Sequence, residues 1–248
     1  GAFAGVFGPG GSGVASPVGS AQPSVDVPAS VLAGLHAAIP LLTEELLRFP
    51  KLCRSYFALL AHMLEAYPAK VAALEPAAFA TLMRTLEFGL AHADETIASE
   101  SFAALAALAA FHHRETRGPG GTPAGGLGAH NARDSSATAR GGGILARFLN
   151  LSLNRLLFED ASLSLAEPAA DALLPLMLCE REAFEGAANA LLGGLAGDAR
   201  AQAKVGEALR DLTASGGLTD RVDRANKRRF RRNVSAFVLE TRAFVRRN

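Results

Sequence analysis

The sequence predicts an all-α protein, in which helices alone build the fold. Large apolar residues recur every three or four positions along most of the chain, the spacing that places them on one face of a helix. Prolines stand where one apolar stripe ends and the next begins, a position that suits the first turn of a helix. No segment alternates apolar and polar residues between turn signals, as a β-strand would. We therefore expect about eight or nine helices and no sheet.

The N-terminal part of the chain divides into a flexible segment and a helical one. Residues 1–29 are rich in Gly, Pro and Ser without periodicity, so we expect them to be flexible. Residues 30–113 carry the helical pattern. Four helices should follow one another there: one over residues 30–49, one from Pro50 to Tyr67, one from Pro76 to Leu90, and one with Asp94 as its N-cap.

Residues 114–143 interrupt this pattern. They hold few large apolar side chains and many Gly, Ser and Pro residues, so burial would not offset the entropy lost on ordering them. We expect a disordered insert there. Helical spacing resumes over residues 144–248, where Asp198 should begin one helix and the last helix should start at about Asp220.

The grouping of the first helices predicts a superhelical architecture. The four helices form two hairpins, and the second starts about 45 residues after the first. This interval is in the range of HEAT-type units, in which each hairpin buries its apolar face by stacking on its neighbours. We predict an α-solenoid, an α-α superhelix of HEAT-type hairpins, over residues 30–113 and 144–248.

The bulk composition predicts a soluble intracellular protein. A chain of 248 residues with 49% apolar residues can bury a substantial core. It begins at Gly1, so we expect a piece of a longer protein. Cys53 and Cys179 are far apart, which fits a reducing compartment. No signal peptide is evident, and the most apolar run, Phe102 to Phe111, is shorter than the roughly 20 residues of a membrane span. We expect no membrane insertion.

No motif predicts catalysis or a cofactor. The GPGGSG run at residues 8–13 formally fits a dinucleotide fingerprint, but no strand precedes it and no helix follows, so we interpret it as a flexible linker. His112 and His113 are adjacent and point about 100° apart on a helix, which suits no shared metal. Cys53 and Cys179 are interpreted as small apolar residues. We predict no catalytic, cofactor-binding or metal-binding residue, and no enzyme.

The charge is concentrated at the C-terminal end. The whole chain carries a net charge of +1, yet residues 220–248 hold ten Lys or Arg against three acids. On a helical wheel, a set of arginines lies opposite the apolar stripe of the last helix. This candidate partner-binding basic face consists of Arg221, Arg228, Arg232, Arg242 and Arg246. It is either a solvated helix face, the interpretation we favour, or a nuclear-localisation or nucleic-acid patch.

The run from Pro40 to Leu90 carries four motifs in order: FPxLCxxY, an aromatic-Pro-x-Lys step, PxxF and LMxxLExGL. With these motifs the chain resembles the C-terminal region of nuclear export receptors of the importin-β (karyopherin-β) superfamily. The likeness is weaker around the LTAS run at Leu212 to Ser215 and the basic last helix. Residues 1–29 and 114–143 have no counterpart in it.

The resemblance implies an exportin: a HEAT-repeat receptor that binds protein cargo together with Ran-GTP, contacts nuclear pore proteins and shuttles between nucleus and cytoplasm. In this family the main Ran-binding site lies in N-terminal repeats, which this chain does not match. No cargo-contact residue carries over. The alternative is a generic α-solenoid interaction scaffold without Ran dependence, and nucleic acid is not an expected partner.

Overall fold

The computed structural model describes residues 30, 33–34, 49–117, 126–137, 142–159, 163–214 and 217–245. Within them the chain is all-helical, without a strand, as predicted. Ten α-helices are described: α1 Pro50–Ala66, α2 Pro68–Ala72, α3 Pro76–Leu90, α4 Glu95–Arg117, α5 Leu127–Ala137, α6 Ile144–Leu157, α7 Ala166–Cys179, α8 Arg181–Gly194, α9 Ala199–Leu212 and α10 Arg224–Val245. A short 3-10 turn, Leu163–Leu165, precedes α7.

The helices pack against one another in an order compatible with a helical solenoid. Helices α1, α4, α7 and α10 form one row, in which each packs against the next. A second set covers this row, because α3 packs on α4, α6 on α7 and α9 on α10. Helices α4, α7 and α10 of the row each pair with the helix of the second set that lies before them in the chain. The HEAT type of these pairs stays a prediction.

Prolines begin the first three described helices, as predicted for Pro50 and Pro76, whereas Pro68 was expected only to end the helix before it. Pro50, Pro68 and Pro76 are each the first residue of a helix. A helix leaves its first backbone N–H groups without intrahelical partners, so the N–H that proline lacks is not missed there. The predicted boundaries of the second and third helices are therefore confirmed to within a residue. Most of the first predicted helix, over residues 30–49, and all of residues 1–29 lie outside the described residues.

Asp94 is the N-cap of α4, as predicted. Its Oδ1 accepts a hydrogen bond from the backbone N of Thr96 at 2.9 Å. Its Oδ2 lies 2.7 Å from a guanidinium nitrogen of Arg54 on α1. The hydrogen bond from Arg54 holds the pKa of Asp94 below its ordinary value. The same aspartate thus begins one helix and links it to another.

The centre of the core is the contact of α1, α3 and α4. Phe57 and Phe102 have no exposed surface, and Phe79 is 1% exposed. Gly89 of α3 allows the closest approach, since a β-carbon there would collide with the Ser101 hydroxyl and the Phe57 ring. A side chain of any size would force the helices apart.

The predicted disordered insert, residues 114–143, is corrected by the structure in two places. Helix α4 continues to Arg117, and α5 occupies 127–137. The side chain of Leu127 is fully buried, and the ring of His130 stacks on Phe79 at a centroid distance of 4.0 Å. These tertiary contacts offset the entropy lost on ordering α5. A count of apolar residues along the segment does not reveal them. Residues 118–125 and 138–141 lie outside the described residues.

Helix α5 also positions the start of α6. The side-chain oxygen of Asn131 accepts a hydrogen bond from the backbone N of Leu145 at 3.0 Å, and its amide donates to Glu180 at 2.9 Å. Arg147 of α6 donates to Asp134 of α5 at 2.9 Å and to Glu87 of α3 at 2.6 Å. The segment predicted as an insert therefore joins the two parts of the array.

Candidate functional site

Helix α10 is fixed to the array along one face. Phe230 and Val234 are buried, with Phe237 and Val238, against α9, α7 and α6. Asp223 precedes the helix and accepts a hydrogen bond from the backbone N of Asn226 at 2.8 Å. This docking is what the apolar stripe of the last helix predicts. The opposite face of α10 is left to solvent.

Exposed arginines cover that opposite face. Arg224, Arg228 and Arg232 are exposed on α10, and Arg221 is exposed in the turn before it. Within the described part of the chain, none of these four guanidinium groups forms an ion pair. We call these four residues the α10 basic surface. Arg224, Arg228 and Arg232 border an open concavity of about 800 Å³ whose other wall includes Glu167 of α7.

The predicted basic face is therefore only partly one surface. Arg221, Arg228 and Arg232 belong to the α10 basic surface. Arg242 does not, because it is half-buried and its Nε donates a hydrogen bond to the carbonyl oxygen of Leu156 at 2.6 Å. That carbonyl is in the last turn of α6, where unpaired carbonyls favour a cation. Arg246 lies outside the described residues.

Two further arginines of α10 have structural contacts. Arg231 makes a bidentate contact with Asp171 of α7, at 2.8 and 2.6 Å, and lies 3.5 Å from Glu167. The hydrogen bond from Asp171 raises the pKa of Arg231. Arg229 donates to the carbonyl oxygen of Gly217, which has a positive φ of 64°. These two cations hold α10 in place and leave the exposed row to other partners.

The end of α4 adds cations that the sequence analysis missed. Arg114 and Arg117 line a second concavity, of about 510 Å³, together with Arg221 and Val222. Arg117 forms an ion pair with Asp220 and donates to its backbone oxygen at 3.0 Å, which lowers the pKa of Asp220. Both arginines fall in the predicted insert, so only recognition that α4 continues past His113 could have identified them.

Three histidines are buried and carry no sign of a metal site. His112, His113 and His130 are at most 9% exposed, and burial is the main cause that lowers the pKa of each. His112 Nδ1 and His113 Nε2 have no hydrogen-bond partner among the described residues. No group of three His, Cys, Asp or Glu residues that could hold a metal ion occurs in the described ranges. The neutral imidazoles are therefore core components of α4 and α5.

The two cysteines are not poised as nucleophiles. Cys53 is buried, and burial raises the pKa of its thiol. Cys179 is half-buried, and burial raises its pKa to about 12. Because the thiolate is the reactive form, burial disfavours nucleophilic chemistry at both sulfurs.

An apolar pocket lies beside α8. Phe158 and Leu157 at the end of α6, Phe184 and Leu191 of α8, and Phe237 of α10 line a volume of about 250 Å³. Helix α8 has no buried residue along its described length. Its apolar side chains are half-exposed around this pocket, so α8 packs more loosely than its neighbours.

None of the described helices is both long and apolar enough to cross a membrane. Comparison with known families finds no family model that matches this chain. No solved structure gives a significant match either.

Proposed function

We propose that this chain belongs to a nuclear export receptor similar to the C-terminal region of exportin-4, and that it helps to hold protein cargo together with Ran-GTP. The observation that carries the proposal is the run of four motifs between Pro40 and Leu90. In the structure three of these motifs contain the prolines at which α1, α2 and α3 begin, and the fourth contains Gly89. Gly89 allows α3 to lie close to α1 and α4, and close packing of this kind is what stacked helices of a solenoid need.

The mechanism under this proposal is binding, without a bond-breaking step. An array of helix pairs exposes a long surface, and a cargo that contacts several pairs gains affinity from many weak contacts. Ran-GTP and cargo would stabilise the same conformation of the receptor, so that each raises the affinity for the other. The receptor would pass between nucleus and cytoplasm through contacts with nuclear pore proteins.

The α10 basic surface is the part of this chain best suited to a charged partner. Its guanidinium groups are exposed and lack acidic partners among the described residues, and the neighbouring Arg231 is already neutralised by Asp171. Complementary charge steers association and penalises the wrong partners. The surface would meet acidic groups on cargo, on Ran or on another part of the receptor.

The test is a pull-down of the full-length receptor with purified Ran loaded with a GTP analogue or with GDP. We expect Ran to be captured in its GTP state only, and cargo capture to rise in its presence. Equal capture of the two nucleotide states would overturn the export function. The remaining function would then be that of a generic α-solenoid interaction scaffold.

A further inference from the structure

Three arginines of the α10 basic surface form a regular row. Arg224, Arg228 and Arg232 are spaced by four residues along α10 and are all exposed. Side chains at this spacing lie on the same helix face, about 6 Å apart. The row ends at Ala236, which carries no charge, and beyond it at the acidic Glu240. Its length is therefore about 12 Å along the helix axis.

No described acid forms an ion pair with an arginine of this row. Asp223, the nearest acid in the chain, accepts the hydrogen bond that begins α10. Glu167 and Asp171 face Arg231, which lies on the α7 side of the row. Lys227 lines the same concavity and adds a further positive charge without a described ion pair. A ligand that enters the concavity thus meets cations on the α10 wall.

The row continues into the concavity at the end of α4. Val222 lines both concavities, so the two adjoin. Arg114, Arg117 and Arg221 surround the second one, and Asp220 is engaged by Arg117. The basic tract therefore runs from the last turn of α4 to the middle of α10.

We propose that this tract binds an extended acidic segment of a partner protein, in which acidic residues occupy alternate positions. In an extended chain, alternate side chains lie on one face and are separated by about 6.6 Å, close to the spacing of the arginine row. Each guanidinium would then meet one carboxylate, in the bidentate geometry that arginine favours. Three acidic residues at alternate positions span five residues and about 13 Å of extended chain, which matches the length of the row. The inference rests on the proposed function, since it names the chemistry of a partner for the same surface.

A peptide fits this surface better than a nucleic acid does. Proteins that bind single strands combine cations with aromatic side chains on which the bases stack. The two concavities are lined by charged and small residues, and the one ring at their edge, that of His113, is buried. The tract therefore presents guanidinium groups that bind carboxylates or phosphates, but no exposed aromatic ring on which bases would stack.

The experiment measures binding to the 248-residue chain by fluorescence anisotropy. One labelled peptide alternates Glu and Ala over about eight residues, and a second has the same composition with its Glu residues in one block. A labelled oligothymidylate of similar length is the third probe. We expect the alternating peptide to bind about threefold tighter than the block peptide or more, with affinity that falls as NaCl is added.

The paired variants locate the site. Arg228→Glu with Arg232→Glu should weaken the alternating peptide about tenfold or more, because attraction is replaced by repulsion. Arg200→Glu with Arg210→Glu is the matched control, since both residues are exposed on α9 and the change in net charge is the same. The control should stay within about twofold of the unaltered chain. Thermal unfolding followed by circular dichroism should be the same for all three proteins.

Several results would overturn the inference. These are equal binding of the two peptides, equal weakening by the control variant, no salt-sensitive binding, or tighter binding of the oligothymidylate. The last outcome would assign the tract to nucleic acid. None of these measurements includes Ran, so the acidic-peptide site and the Ran-dependent export function can fail independently.

Discussion

The two ends of the described array differ in how they use their side chains. At one end α1, α3 and α4 enclose Phe57, Phe79 and Phe102 almost completely. At the other end α8 has no buried residue, and α10 exposes a row of arginines. Close packing is therefore concentrated at the end that contains the four sequence motifs. Exposed arginines without a described ion pair are concentrated at the other end, where the resemblance is weaker. Stability and partner binding should respond to different substitutions.

The largest expected difference between the two ends is in the stability lost when an aromatic ring is removed. Phe57→Ala should lower the free energy of unfolding by about 3–5 kcal/mol, because a cavity remains between α1, α3 and α4. Phe184→Ala, in the loosely packed α8, should cost about 1 kcal/mol or less, since that ring is already half-exposed. Urea unfolding followed by circular dichroism measures both. Equal losses would show that the two ends are packed alike.

Next in size is a glycine substitution whose effect should change sign between the two ends. Gly89→Ala should destabilise the protein by about 2 kcal/mol, because the new methyl group overlaps Ser101 and the buried Phe57 ring. Gly186→Ala in α8 is the control, as no atom lies within 4 Å of the added carbon. There alanine should stabilise the helix by up to about 1 kcal/mol through its higher helix propensity. Thermal unfolding of both variants tests the prediction, and a stabilising Gly89→Ala would contradict it.

The pH dependence of stability should arise from the motif-rich end. All six histidines precede α6 in the sequence, and burial lowers the pKa of His112, His113 and His130. The unfolded chain binds protons near pH 6.5, before the folded protein does. Stability is therefore complete above about pH 6.5 and falls as the pH drops from there through the folded-state pKa values.

Urea unfolding at several pH values measures this loss. His112→Leu should reduce the pH dependence, whereas His62→Gln, at an exposed position of α1, should leave it unchanged. On acidification the protection of amide hydrogens, taken relative to the intrinsic exchange rate at each pH, should fall in α4 and α5 before α9. A stability that rises on acidification to pH ~5 would mean that these imidazoles are not buried in the neutral form.

The smallest expected effect is a difference in stability between the substitutions of two arginines of α10. Arg231→Ala should cost about 0.5–1 kcal/mol of stability, since it removes the bidentate contact of α10 with Asp171. Arg228→Ala should change stability by less than about 0.5 kcal/mol because the side chain has no described partner. Thermal unfolding compares the two. A larger loss for Arg228→Ala would show that the exposed row is structural.

Features with a local cause were predictable from the sequence. Pro50 and Pro76 begin helices because of their own missing N–H, and Asp198 begins α9 by accepting hydrogen bonds from Arg200 N and Ala201 N, both at 3.0 Å. The apolar stripe of α10 likewise follows from residue spacing alone. Each of these features depends on residues within a turn or two of each other.

Features with a distant cause were not predictable from local pattern. Helix α5 is held by contacts of His130 with Phe79 and with Ala72, whose backbone oxygen lies 3.1 Å from Nε2. The exclusion of Arg242 from the basic face depends on Leu156, which is 86 positions away in sequence. A helical wheel shows the direction in which a side chain points, but not which atoms of another helix it contacts. The structure therefore leaves Arg221, Arg228 and Arg232 exposed and removes Arg242 from the predicted face, and partner binding at this surface stays a prediction.

The buried side-chain amide of Asn226 fixes the turn that precedes the arginine row. Its side chain bonds to both the N and O of Thr219, at 3.1 and 2.8 Å, and to the backbone oxygen of Arg221 at 2.7 Å. These bonds fix the backbone of the turn before α10 in the absence of any partner. A ligand that contacts Arg221 and Arg224 therefore has only side chains to order, and loses less conformational entropy on binding than it would at a mobile loop.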